Sequence, residues 1–126
     1  MASFWKDLKN SIVSGMSILA DTIHTSTGNG TGVDMLAGDG GSCLIVQAST
    51  VTDGTHTITA EESNNDSDYT AVVGADSLAL TSANDNTVHV LNFQRAKQYV
   101  RAVKTVAGAS TGGIYGVSVH AMKKAG

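Results

Sequence analysis

The sequence predicts an all-β chain: an antiparallel β-sandwich or jelly-roll-like barrel of seven to eight short strands, with a short N-terminal helical arm. Three observations carry that expectation. Gly (14), Thr (14) and Ser (13) are abundant among 126 residues while charged residues make up only 15%, a composition of short strands and turns and not of a helical bundle. Apolar and polar residues alternate over successive short runs, and turn-forming clusters separate those runs at roughly ten-residue spacing. The length suits one core, so residues 1–15 are expected as a partly helical arm and residues 16–126 as a single sandwich domain.

Taken in chain order, Phe4, Leu8, Ile12, Met16 and Leu19 fall at helical spacings, yet Ile12, Met16, Ile18 and Ala20 also fit period two in a β-branched stretch. A helical arm over residues 3–10, followed by a strand within residues 16–25, reconciles the two patterns. The turn-rich stretches HTSTGNGTG and AGDGG bracket Val33–Leu36 as a short edge strand. From Ser42 the pattern is plainly β, with Leu44, Val46 and Ala48 alternating with Ile45, Gln47 and Ser49. TDGT then predicts a hairpin, because Asp-Gly accepts positive φ at little cost. Thr55–Glu62 sets His56, Ile58 and Ala60 against Thr55, Thr57 and Thr59. SNNDSD predicts a second hairpin tip before a strand at Tyr69–Val73, and GADSLALTSANDN a connection with one turn of helix. Thr87–Phe93, Gln98–Thr105 and Ile114–Met122 complete the strands, the last with Tyr115, Val117, Val119 and Ala121 on one face.

Most site chemistry lacks its residues or their spacing. The single Cys43 excludes an intrachain disulfide and a cysteine-based zinc cluster, and its apolar flanks predict a small core residue. EESNNDSDY offers carboxylates and amides without the sharp-turn glycine and downstream bidentate Glu of a calcium loop, so it reads as a polar tip whose Asn and Asp bond their own backbone. Glu61 and Glu62 are adjacent and point to opposite faces of a strand, so they do not flank one bond. His24, His56, His89 and His120 share no metal-ligand spacing, and LAGDGGS precedes no helix to hold a phosphate. The expectation is a protein that is not an enzyme, with no catalytic residue, cofactor or metal. No apolar run is long enough to span a membrane, and Lys6, Asp7 and Lys9 open an interrupted pattern unlike a signal-peptide core. No membrane partner is expected, and synthesis in the cytoplasm is.

Net charge is −3, but residues 10–94 contain ten acids and no Lys or Arg, whereas residues 95–126 contain six bases and no acid. Kept apart by the fold, these blocks would give an acidic and a basic surface suited to contact between copies, such as a trimer, or to docking on a charged partner. Interleaved by strands from both blocks, the separation dissolves. Arg95, Lys97, Arg101 and Lys104 gather about Tyr99 in a net acidic chain, which suits an acidic protein surface better than nucleic acid.

Three motifs, in order, carry a resemblance. Val51–Glu62 (VTDGTHTITAEE), Asn92–Val103 (NFQRAKQYVRAV) and Thr111–Val117 (TGGIYGV) resemble the "TITDGTHTF…EESDDG…W" hairpin, "YIGSKRYVRV" strand and "TGGVFGA" turn-strand of small tailed-bacteriophage proteins often encoded beside the major capsid protein. The resemblance spans about residues 17–122; it departs where RAK stands for GSK, and the arm MASFWKDLKNSIV is not a family feature. It implies a virion structural protein on the capsid exterior, a decoration or cement protein bridging major capsid protein capsomers, and no residue-level chemistry. The candidate partner contacts are Phe4, Trp5 and Leu8 of the arm, as aromatic and aliphatic anchors, with Arg95, Lys97 and Arg101. The alternative for Phe4 and Trp5 is packing on the protein's own core. Two other functions stay open: a head-tail connector, head-fibre or tail adaptor component, and a carbohydrate-binding β-sandwich, for which Phe4, Trp5, Tyr69, Phe93, Tyr99 and Tyr115 make a thin aromatic platform.

Overall fold

The alternation of apolar residues finds its counterpart in a computed structural model that describes residues 8–124. Among these residues two antiparallel sheets pack as a sandwich, and helix is confined to α1 (Leu8–Ser11) and a 3-10 turn at Ser82–Asn84. The four-stranded sheet has the spatial order β1 (Ile12–Ile18), β10 (Gly113–Lys123), β4 (Gly38–Val51), β8 (Thr87–Gln94). The six-stranded sheet is built on β5 (Thr55–Ser63) paired with β9 (Tyr99–Ala107). Its short members are β2 (Gly28–Asn29) and β3 (Val33–Asp34) on β9, and β6 (Thr70–Ala71) and β7 (Leu78–Leu80) on β5.

Period two sends one side of each long strand inward. Leu44, Val46 and Ala48 of β4, Tyr115, Val117 and Val119 of β10, Ile58 and Ala60 of β5, and Val100 and Ala102 of β9 form the core between the sheets. Tyr115 is fully buried and donates its hydroxyl to His56 Nδ1 at 2.8 Å, linking the two sheets through the core. His56 Nε2 lies 3.0 Å from the Asp53 carbonyl, an acceptor only, so Nε2 carries the ring hydrogen and Nδ1 is free to accept.

Several expectations change. TDGT does not close a hairpin: β4 and β5 lie in different sheets, and the turn, with Gly54 at φ +84°, carries the chain across the sandwich. Both edges of β4 are already taken, by β10 and β8, so β5 has no edge of β4 to join. The first strand starts at Ile12 and not within residues 16–25, because its register on β10 pairs Ile12 with Met122 and Met16 with Ser118. Leu8–Ser11 is helical, while the rest of the expected helix at residues 3–7 lies outside the described residues. AGDGG supplies the start of β4, since Gly38 pairs with Lys123 and Gly41 with Gln94. Cys43 is not a core residue: with Leu44 and Val46 turned inward, it faces outward and is partly exposed. The short β2 and β7 raise the strand count above the seven or eight expected.

Candidate functional site

The three motifs are tied together at two places, one at each end of β5. Asp53, in the crossing turn after β4, accepts backbone hydrogen bonds at Oδ1 from Gly112 (2.6 Å) and Thr111 (3.1 Å), and at Oδ2 from Ser110 (3.1 Å). The Ser110 hydroxyl adds a bond to Oδ2 at 2.9 Å, and Thr52 N–H donates to the Gly112 carbonyl at 2.9 Å. These donors hold the Asp53 carboxyl well below the usual carboxylate range, Gly112 N–H contributing most. Gly112 sits at φ +86°, where a Cβ would also collide with the His24 carbonyl. Sequence reasoning saw Asp53 as a turn residue only; its partners stand 57–59 positions away, beyond any local pattern.

A second fastening, at the far end of β5, ties it to the start of β9. Buried Glu62 accepts the Ala96 and Lys97 amides on Oε1 at 2.7 and 3.1 Å. Glu61, on the opposite face as its position dictates, pairs with Arg101 through Nε (2.9 Å) and Nη2 (2.6 Å), and the Arg101 guanidinium lies 4.0 Å over the Tyr69 ring. Arg95 donates Nη1 to the Lys97 carbonyl at 3.0 Å and Nη2 to the Gly38 carbonyl, while Lys97 Nζ reaches Thr70 Oγ1 at 3.1 Å. The candidate contacts Arg95, Lys97 and Arg101 thus lie together, each bonded within the chain. β5 from the acidic block pairs with β9 from the basic one, so the two blocks interleave here. Phe4 and Trp5 lie outside the described residues, and Leu8 opens α1.

A histidine latch lies at the other end of β9. His24 Nε2 donates to the carbonyls of Leu19 (2.9 Å) and Tyr115 (3.1 Å), which leaves Nδ1 to accept from Lys104 Nζ at 2.8 Å. Burial first, and the Lys104 charge second, lower the His24 pKa.

The polar clump at residues 63–69 is a closed tip. Asn65 Oδ1 accepts from Ser63 Oγ and from the amides of Ser67 and Asp68 at 2.8–3.0 Å, Asp66 takes φ +58°, and Tyr69 donates its hydroxyl to Asp66. Among the described residues no group of three or more His, Cys, Asp or Glu is placed to hold a metal ion, and no helix is long and apolar enough to cross a membrane.

The outer face of the four-stranded sheet has a different composition. Register places Met16, Ser118, Ile45 and Val90 in one row, and Ser14, His120, Cys43 and Asn92 in the next. Gln47 and Val88 continue the face at one end, Ile12 with Met122 and Gly41 with Gln94 at the other. None of these positions bears Asp, Glu, Lys or Arg. Val88 (64%), Val90 (55%), Met16 (47%) and Met122 (42%) are exposed, and a groove lined by Ile12, Cys43, Asn92, His120 and Met122 crosses the face. Burial pushes the Cys43 thiol up and the His120 imidazole down, so both are neutral at pH 7. Cys43 is therefore not an activated nucleophile, although His120 is its register partner.

No protein-family profile matches this chain, and no curated protein matches it. Among solved structures it is similar to PirA, at 13% identity and a TM-score of 0.43 over 89% of this chain and 93% of that one. It is also similar to the structure of infectious bursal disease virus Gx strain, at 12% identity and a TM-score of 0.39, over 91% of this chain and 32% of that one. Likenesses this distant carry no assignment of function.

Proposed function

We propose that this chain is a bacteriophage virion structural protein, a decoration or cement protein on the capsid exterior that bridges capsomers of the major capsid protein. The observation that carries the reading is where the three motifs of the phage-protein resemblance fall. They are far apart in sequence, yet Asp53 fastens the first motif to the third at one end of β5, and Glu61 and Glu62 fasten it to the second at the other. What resembles the phage proteins is therefore the framework of a rigid small sandwich, with its polar groups spent on holding backbone. A rigid domain repeated over a symmetric shell needs only a few kcal/mol per copy, because simultaneous contacts multiply.

The test is a quantitative protein count on purified particles of the source phage, before and after mild heating. The expected result is hundreds of copies per particle, released together with loss of capsid stability. About a dozen copies would assign the protein to the head-tail junction instead, and none would remove it from the virion.

A further inference from the structure

The charged groups on the face of the six-stranded sheet, the histidine latch and the closed tip are engaged within the chain. One surface differs, presenting exposed apolar side chains around a single Ser118 Oγ–His120 Nε2 hydrogen bond of 2.6 Å: the uncharged outer face of the four-stranded sheet. We propose that this face is a self-association surface that seats against the same face of a second copy, sheet on sheet. The inference stands apart from the capsid reading and does not need it.

Charge selects the occupant. In a two-fold pairing the same patch meets itself, so any charge near the axis meets its own copy. On a chain of net charge −3, a face spanning four strands without Asp, Glu, Lys or Arg is where two copies approach without that repulsion. Asp39 and Lys123, the next charges along β4 and β10, follow the register break beyond Ala121. A charged partner of another kind would instead be met by complementary charge, which this face lacks.

Area and chemistry agree. Four strands about 4.8 Å apart and three to four rows about 6.8 Å apart give a face of about 450 Å². Two copies would then bury about 900 Å², close to the lower bound for a specific interface, so the dimer is weak and concentration-dependent. Exposed Val88, Val90, Met16 and Met122 supply the apolar contact, with unbranched Met side chains able to fill gaps across sheets packed about 10 Å apart. Ser14, Gln47 and Asn92 offer uncharged hydrogen-bonding groups among them, while the Ser118 hydroxyl is bonded to His120 Nε2 at 2.6 Å.

Sedimentation of the full chain over a wide concentration range tests this. The expected result is a monomer-dimer equilibrium that Val90→Lys or Gln47→Lys weakens at least tenfold, since each buries an uncompensated charge, while Thr59→Lys on the opposite sheet leaves it unchanged. Circular dichroism checks that each variant stays folded; Gln47 is exposed, so its variant serves if Val90→Lys does not fold. A chain monomeric at every concentration overturns the proposal, as does an oligomer indifferent to Val90→Lys and Gln47→Lys. A monomer whose single Trp5 shifts its emission to the red in Val90→Lys also overturns it, assigning the face to the chain's own N-terminal segment.

Discussion

On the outside of the six-stranded sheet, Thr57, Thr59, Glu61 and Ser63 of β5 stand opposite Thr105, Val103, Arg101 and Tyr99 of β9. On the outside of the four-stranded sheet, the corresponding rows are Met16, Ser118, Ile45, Val90 and Ser14, His120, Cys43, Asn92. The first face carries an ion pair, a guanidinium stacked on Tyr69 and a closed polar tip, so its charged groups are paired within the chain. The second carries no charge and leaves valines and methionines exposed. The six-stranded sheet contains four strands of two or three residues, too short to hold by pairing alone, and side-chain bonds fasten it. The four-stranded sheet, whose strands run from 7 to 14 residues, holds by its ladder and leaves valines and methionines exposed on its outer face.

If side-chain fastening distinguishes the six-stranded sheet, breaking it should cost most at Asp53. Asp53→Ala should give the largest drop in melting temperature of any single polar substitution, because four hydrogen-bond donors of residues 110–112 lose their acceptor at once. Asp53→Asn should fall between it and the parent chain in the same thermal scan. Glu62→Ala should follow, at about 2–3 kcal/mol in urea unfolding, since the Ala96 and Lys97 amides are left without their partner beside a buried strand.

Acid should sharpen the comparison further. The lowered His24 pKa means that the unfolded chain takes up a proton before the folded one. Stability is therefore fully present above the unfolded value of about 6.5 and declines as pH falls below it. His120, lowered by burial, adds in the same direction. Asp53 loses its contribution in a separate window, from about 3.9 downward, as its depressed carboxyl is finally protonated. Melting temperature between about pH 7 and about pH 5 should thus fall, and His24→Gln should flatten part of that slope. The smallest effect belongs to the most visible ion pair: Arg101→Ala should cost about 1 kcal/mol or less in the same unfolding assay, because both partners are partly solvated and exposed pairs contribute little.

The long strands were legible in the sequence because alternation is a local signal: Tyr115, Val117, Val119 and Ala121 read as one buried face and are one. The two- and three-residue strands are too short for alternation to show. Asp-Gly correctly announced a turn at Asp53, yet which strands pair is settled by edges, and β4 had none left for β5. The fastening at Asp53 was invisible for a related reason, since Asp53 and Gly112 meet only once both sheets exist. Charge misleads in the same way: the acidic and basic blocks are segregated in sequence, but β5 and β9 pair and Glu61 meets Arg101. The bare outer face appears only when register sets β1, β10, β4 and β8 side by side.

That contrast between a charged, internally paired face and an uncharged, apolar one can be measured directly, because natural probes sit on both. Met16 and Met122 lie on the four-stranded sheet's outer face, Tyr69 and Tyr99 lie on the side of the six-stranded sheet, and Met35 is fully buried as an internal reference. Hydroxyl-radical footprinting of the unmodified chain, dilute and then concentrated, should show Met16 and Met122 becoming protected while Tyr69, Tyr99 and Met35 keep their rates. Protection at Tyr69 and Tyr99 with Met16 and Met122 unchanged would contradict the account, for it would place association on the face whose groups are already engaged.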